Sequence, residues 1–399
     1  MTLLRLGIVA SHPIQYQVPL YRALSMVDGV DVTVLFLTRH GAVASVDHEF
    51  GLEMQFDVPL LEGYRHRFLL NVSPRPDPRG FFGSVNPGLM REYGFRAKAD
   101  VVLVHGWFAL SHWLAFAAAS ASQTPILLRG DSNAEAELSL SRVKRYVKQR
   151  VLGSLLRHVA CCVAIGYLNR EFYRLYGVSD DRIGWAPYSV DNERFVRGGV
   201  IGAESRVARL KGLGLDPTKP TVLFAGKLQP WKRPEDLLRA VSYSDLEMNV
   251  LIIGDGPLRR GLESKYGGDA RIRFLGFVNQ LEISQWYGAS DMYVLPSSRE
   301  QWGLGVNEAM AAGAVPVVSS AVGCRYDLIG PDCGRIFEVG DVEHLRATLR
   351  ALGARPRLRR EMRHAAMRRV RSYSIERTAD GIVSAATAAL GTHHRRFRK

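Results

Sequence analysis

Cysteine is scarce: Cys161, Cys162, Cys324 and Cys333 are the only four in 399 residues, with no CxxC pair and no Cys/His ligand spacing. That excludes a disulfide framework and a structural zinc site, and buried free thiols are the expectation. Long hydrophobic runs are also lacking. The longest apolar stretch, Val101–Ala119, is interrupted by His105, Gly106 and His112 and changes period midway, so a strand followed by a helix explains it better than a membrane span. Met1–Ala10 carries one positive charge and too short an apolar run for a signal peptide, and reads as a first strand. A cytoplasmic protein that at most lies against a membrane is expected. No short internal repeat is present.

What the chain does have is an ordinary globular composition, 47% apolar and 23% charged, and a length that calls for two or three domains. The net charge of +14 is unevenly spread. Arg355–Lys399 holds 13 Lys/Arg against 3 Asp/Glu, and Arg142–Arg157 holds 6 basic residues and no acidic one. Together these strips carry +16, which leaves −2 for the remainder. A neutral body with two basic strips suits an anionic surface such as a lipid leaflet. No DNA-reading motif or aromatic-rich basic platform accompanies the strips, so nucleic acid is not expected as a partner. In the first strip, Val143, Val147, Val151 and Leu155 recur every four residues, which predicts a core-facing helix, with a helix lying on anionic lipid as the alternative.

Short apolar runs alternate with helical patterns throughout. Leu4–Ser11, Asp31–Leu37, Val101–Val104, Ile126–Arg129 and Cys161–Ile165 read as buried parallel strands, with helices over Val18–Ser25, Ala109–Ser122, Leu138–Arg157 and Leu168–Tyr176. A second series has strands at Thr221–Ala225, Val250–Ile253, Ile272–Leu275, Met292–Leu295 and Val315–Val318. Its helices fall at Pro234–Val241, Leu281–Tyr287, Val306–Ala312, Val342–Leu352 and Pro356–Arg371. Arg197–Lys219, rich in glycine and charge, reads as a connector or a surface excursion. The fold class is therefore α/β, two Rossmann-like doubly wound domains of similar size with a cleft between them as the favoured ligand location.

The most informative stretch runs from Pro296 to Pro316. A strand ends in a polar turn carrying Glu300, Gly303 and Gly305 open a helix, and Gly313 closes it. The amides at such a helix start, Gly303, Leu304 and Gly305, suit a phosphate. Glu308 lies further along the same helix, eight positions after Glu300, about 12 Å on an ideal helix. That is wider than the paired carboxylates of a glycosidase, which stand about 5–9.5 Å apart. It fits a ligand with hydroxyls at both ends and a negative middle, such as a nucleoside diphosphate sugar. Lys227 and Lys232 lie in a strand-to-helix loop, where two lysines five apart can converge on one anion.

Taken in order, Gly226–Lys232, Ile253–Pro257, Phe274–Val278, Ala289–Pro296 and Glu300–Pro316 resemble the donor half of family 4 retaining glycosyltransferases, proteins of the GT-B fold. The likeness is dense from Lys219 to Asp341. Glu300 and Glu308 match that family's Glu-x7-Glu motif, and Lys227 and Lys232 its Arg/Lys-x4-Lys pair. In the first half, Ser11–Tyr16 follows a strand, and His105 falls where the family places a histidine facing the cleft. Position 227 is more often arginine in the family, and its Gly-Gly pair is Gly323-Cys324 here.

The resemblance implies an acceptor-side domain over 1–195, a nucleotide-sugar domain over 196–374, and a helix returning to the first domain plus a basic tail over 375–399. It implies metal-independent, anomer-retaining transfer, with no cofactor. Glu300 would hold sugar hydroxyls, Glu308 the ribose, and Lys227 and Lys232 the departing diphosphate, which itself takes the acceptor proton. His105 would touch the donor sugar. His12, Gln15 and Arg129 would lie on the acceptor or diphosphate side. The donor base is UDP before GDP. The acceptor is a hydroxyl compound, lipid-linked in many relatives that build envelope or capsule polysaccharide. The tail Thr392–Lys399 is expected to be disordered. Rival readings are a nucleotide-sugar epimerase or phosphorylase of the same fold, and a sugar-nucleotide-binding protein without activity.

Overall fold

The computed structural model describes residues 3–42, 45–47, 52–54, 56–77, 80–95, 98–242 and 245–397. The chain divides into two compact units. The first comprises Met1–Ser45, Pro59–Tyr188 and Ile375–Lys399, the second Val46–Val58 and Ser189–Ser374. The main break thus falls at Tyr188, ahead of the expected 195. Asp191 caps a helix, Asn192–Gly212, that belongs wholly to the second unit.

The strands in chain order are β1 (Leu4–Ala10), β2 (Val30–Phe36), β3 (Ser45–Asp47), β4 (Leu52–Met54), β5 (His66–Phe68), β6 (Val101–His105), β7 (Ile126–Arg129), β8 (Cys161–Ala164) and β9 (Ile183–Trp185), then six more in the second unit. The first unit's sheet has the order β5-β2-β1-β6-β7-β8-β9 and is parallel throughout; β3 and β4 pair with each other. β6 and β7 are buried almost end to end, as strands covered by helices on both faces must be. The chain leaves β1 toward one edge and returns to its other side at β6. The switch point therefore lies between β1 and β6, where ligands of open α/β sheets bind.

In the second unit, β10 (Thr221–Ala225), β11 (Asn249–Ile253), β12 (Ile272–Gly276), β13 (Met292–Leu295), β14 (Val315–Ser319) and β15 (Arg335–Phe337) form a parallel sheet, β12-β11-β10-β13-β14-β15. Its switch point lies between β10 and β13. The loops leaving those two strands are the two that carry Lys227, Lys232 and Glu300.

Three expectations need correction. Arg197–Lys219 is not a connector for most of its length, because the 21-residue helix Asn192–Gly212 runs through it. Its glycines are packing positions: a methyl group at Gly198 would overlap Ser284, at Gly199 the backbone of Ala312, and at Gly202 the carbonyl of Gln285. They let helices Gln280–Gly288 and Leu304–Ala312 lie directly against it. Leu138–Arg157 is two helices, Ala134–Leu138 and Arg142–His158, the first capped by the Asn133 side chain, which accepts from the Ala136 amide at 2.8 Å. The valines of the second do not face the core: Val143, Val147 and Val151 are 74%, 56% and 51% exposed, and of the expected stripe only Leu155 is buried, together with Leu152 and Leu156. Finally, the last helix, Ile375–Phe397, extends into the tail expected to be disordered, as far as Phe397. It packs on the first unit, where Thr378 Oγ1 donates to the Pro187 carbonyl at 2.7 Å. All four cysteines are buried and free, as expected.

Candidate active site

The second unit supplies the denser group. Leaving β13, the chain turns through Ser297 and Glu300 to Gly303, whose φ of +102° is a left-handed conformation that favours glycine. Helix Leu304–Ala312 starts there with no side-chain cap; the Val306 amide donates to the Gly303 carbonyl at 2.8 Å. Trp302 Nε1 donates to Asn307 Oδ1 at 2.9 Å and locks the turn onto the helix. On the other side, the Gly323 amide donates to the Glu300 carbonyl at 3.0 Å and the Cys324 amide to the Trp302 carbonyl at 2.9 Å. Those bonds keep Glu300 on a rigid support.

Glu300 and Lys232 are in direct contact. The Lys232 ammonium donates to Glu300 Oε2, and the Ser297 hydroxyl shares that oxygen at 3.2 Å. Lys232 ends a short 3-10 turn, Pro230–Lys232, and is followed by Arg233 at φ +50°, an unfavourable conformation for a non-glycine residue. Arg233 is held there by both oxygens of Asp236, at 2.7 and 3.0 Å. Lys227, half-buried, opens the same loop just after β10.

Glu308 sits apart from that pair with its own partner. The Tyr287 hydroxyl donates to Glu308 Oε2 at 2.9 Å, and Tyr287 stacks edge-on against Tyr293 with ring centres 5.4 Å apart. An edge of Glu308 still meets solvent, but its carboxyl group lies beneath the surface. Burial pushes its pKa up to about 7, opposed by the Tyr287 hydrogen bond and by Arg194. Tyr287, Ser297 and Arg194 escaped the sequence reading. Tyr287 lies in an unremarkable helix, and only its contact to Glu308 distinguishes it.

In the first unit, His12, Gln15, His105 and Arg129 all lie at the carboxyl ends of β1, β6 and β7. His12 Nδ1 is 3.0 Å from the Ser11 hydroxyl, and its ring meets that of His40 edge-on at 5.0 Å. Burial, then His40, lowers its pKa to about 4. His105 and Arg129 are register partners on adjacent strands. His105 falls to about 3 through burial, with smaller effects from Arg129 and His112, and is therefore neutral at physiological pH. Among the described residues, no group of three or more His, Cys, Asp or Glu is placed to hold a metal ion, and no helix is long and apolar enough to cross a membrane.

Residues 208–369 match the family model of Glycosyl transferases group 1, a segment that contains Lys227, Lys232, Glu300 and Glu308. Similar curated proteins include the D-inositol 3-phosphate glycosyltransferase of Thermomonospora curvata, 31% identical over 240 residues, 56% of this chain and 55% of that one. The enzyme of that name from Rhodococcus opacus is 27% identical over 319 residues, 74% and 69%. The chain spans between 51% and 63% of the length of the first three such relatives. Among solved structures, HepE of Anabaena in complex with UDP superposes with a TM-score of 0.73 at 14% identity, covering 97% of this chain and 100% of that one. A glycosyltransferase from Rickettsia africae gives 0.75 at 14%, covering 98% and 99%. The fold is thus of the GT-B class, two parallel α/β units of seven and six strands.

Proposed function

We propose that this protein is a retaining, metal-independent glycosyltransferase that moves a sugar from a nucleoside diphosphate, UDP before GDP, to a hydroxyl acceptor in envelope polysaccharide or glycolipid synthesis. The observation that carries the reading is the Lys232–Glu300 pair beside the start of helix Leu304–Ala312, at the switch point of the second sheet. An ion pair of opposite charges next to the amides of a helix start is what a sugar diphosphate would divide. The ammonium and amides take the phosphates, and the freed carboxylate takes the sugar hydroxyls. Glu308, with its hydroxyl-donating Tyr287, then accepts from the ribose.

As the anomeric bond breaks, negative charge grows on the departing diphosphate. Lys232, Lys227 and the helix dipole stabilise that charge where it develops, without reorganisation. The acceptor oxygen bonds the anomeric carbon from the face that the diphosphate leaves, and its proton passes to the diphosphate oxygen. His105 is assigned to the donor sugar by the resemblance alone. Solved relatives described as complexes with UDP, and with UDP and glucose, support the choice of base. The test is turnover of a nucleotide-sugar panel with EDTA present: UDP release should persist with the chelator and vanish in Lys232→Ala and Glu300→Ala. Strict dependence on added divalent metal would contradict the mechanism.

A place at the inner face of the membrane is part of the same proposal. Its support is helix Arg142–His158, which exposes Val143, Tyr146, Val147 and Val151 among basic side chains. The chain should co-sediment with anionic vesicles and not with zwitterionic ones, and Val147→Asp should release it without lowering its melting temperature.

A further inference from the structure

One face of the first unit's sheet, where β1, β2 and β5 lie side by side, is left open. Parallel neighbours need a crossover, usually a helix that covers the sheet, yet among the described residues no helix lies between β2 and β5. Side chains alternate between the two faces of a strand. Val32, Val34 and Phe36 fill the covered face of β2 and are at most 3% exposed. The alternate positions, Arg5 and Gly7 of β1, Asp31, Thr33 and Leu35 of β2, and Arg65 and Arg67 at β5, line a cavity of about 330 Å³. Glu92, Tyr93, Lys98 and Ala99 complete the lining. Leu35, Tyr93 and Ala99, each at most 4% exposed, give the cavity an apolar floor. A methyl group at Gly7 would fall 2.5 Å from the Tyr93 hydroxyl, so the glycine lets that ring lie directly against β1.

The charges around this floor are layered. The Arg67 guanidinium and the Lys98 ammonium share one oxygen, Oε2, of Glu92, whose side chain is 9% exposed while theirs are 49% and 41% exposed. Arg65 Nη1 stands 3.0 Å from Asp31 Oδ1, and Arg5 Nη2 stands 2.6 Å from Asp100 Oδ1, again with the cation the more exposed partner. Burial would raise the pKa of Glu92, but Arg67 and Lys98 outweigh it and hold the group below its ordinary value, so it stays a carboxylate. A ligand entering the cavity therefore meets N–H groups, with the carboxylates beneath them. Among the described residues, four cations stand against three carboxylates, and Glu92 is the one that two cations share. One positive charge is thus left over at Arg67 and Lys98. Charged side chains also keep an edge strand such as β5 from pairing with another chain, but that task needs neither a buried carboxylate shared by two cations nor an apolar floor. A single excess charge matches one carboxylate better than a phosphate dianion, and the planar fork of an arginine matches its two oxygens.

We propose that this cavity is an accessory binding site for a small organic acid, with its carboxylate seated on Arg67 and Lys98 and its apolar body on Leu35, Tyr93 and Ala99. The site uses none of the residues assigned to donor or acceptor, which in this unit stand at the carboxyl ends of the strands, and it does not depend on the glycosyltransferase reading.

The test is calorimetric titration of benzoate, benzamide and inorganic phosphate into the full chain, with and without UDP, for wild type, Arg67→Gln and Lys98→Gln. Wild type should bind benzoate saturably, with benzamide, its neutral counterpart, and phosphate each about tenfold or more weaker. Each variant leaves Glu92 one cation and should weaken benzoate toward the affinity of benzamide. UDP should leave benzoate binding unchanged. The ranking of the three probes is read on wild type and stands whatever the variants do. Absence of saturable benzoate binding, benzamide or phosphate binding as tightly as benzoate, undiminished benzoate binding in both variants, or displacement of benzoate by UDP would each overturn the proposal.

Discussion

Glu308 titrates where it can be measured. Its carboxyl is raised by burial from an ordinary value to about 7, so near neutrality it is divided between acid and carboxylate. In the proposed role, only the carboxylate would accept from both ribose hydroxyls. UDP-glucose, which has no titrating group in this range, should therefore bind more tightly as pH rises from about 6 to about 8, and Glu308→Gln should flatten that slope. His105, His12 and His112 are held neutral by burial, at about 3, 4 and 4, and add nothing in this window. The stability linkage runs the opposite way. The folded state binds this proton more tightly than the unfolded chain, so the contribution is greatest at low pH and is lost as pH climbs through about 7. At this scale the sequence reading singled out Lys227, Lys232, Glu300 and Glu308, because charge and glycine spacing are visible in one dimension. The contact of Lys232 with Glu300 crosses 68 positions, and the tyrosine under Glu308 was hidden by its ordinary helical context.

At the scale of elements, most strands and helices were legible within a residue or two, since buried parallel strands are continuous apolar runs and these helices have strong punctuation. Misreadings occurred where one residue type had two meanings. Glycines in Asn192–Gly212 resemble breakers, at a helix cost of about 1 kcal/mol each, yet they create the groove against which the Glu308 helix and the Tyr287 helix pack. Gly202→Ala should accordingly destabilise the protein by about 2 kcal/mol by denaturant melt, although alanine is the better helix former. Gain of stability would show that the packing is looser than described. Valines spaced by four along Arg142–His158 read as a core stripe and are instead exposed, because only the last two turns of that helix meet the core. Strands β5, β9 and β15 have three residues each, too short for periodicity to register.

For the whole molecule, two doubly wound sheets give two switch points, and nearly every candidate residue falls at one of them. The duplication was readable from alternating strand and helix patterns, and the fold is shared with proteins only 14% identical, so it depends on patterning more than on particular residues. The chemistry depends on the reverse: a few side chains at strand ends. The most direct test of that chemistry is calorimetric titration of UDP into wild type and Lys232→Ala at neutral pH. Saturable binding by wild type, weakened about tenfold or more in the variant with its melting profile unchanged, is the expected result. Equal affinity in the two proteins would contradict a diphosphate held at Lys232.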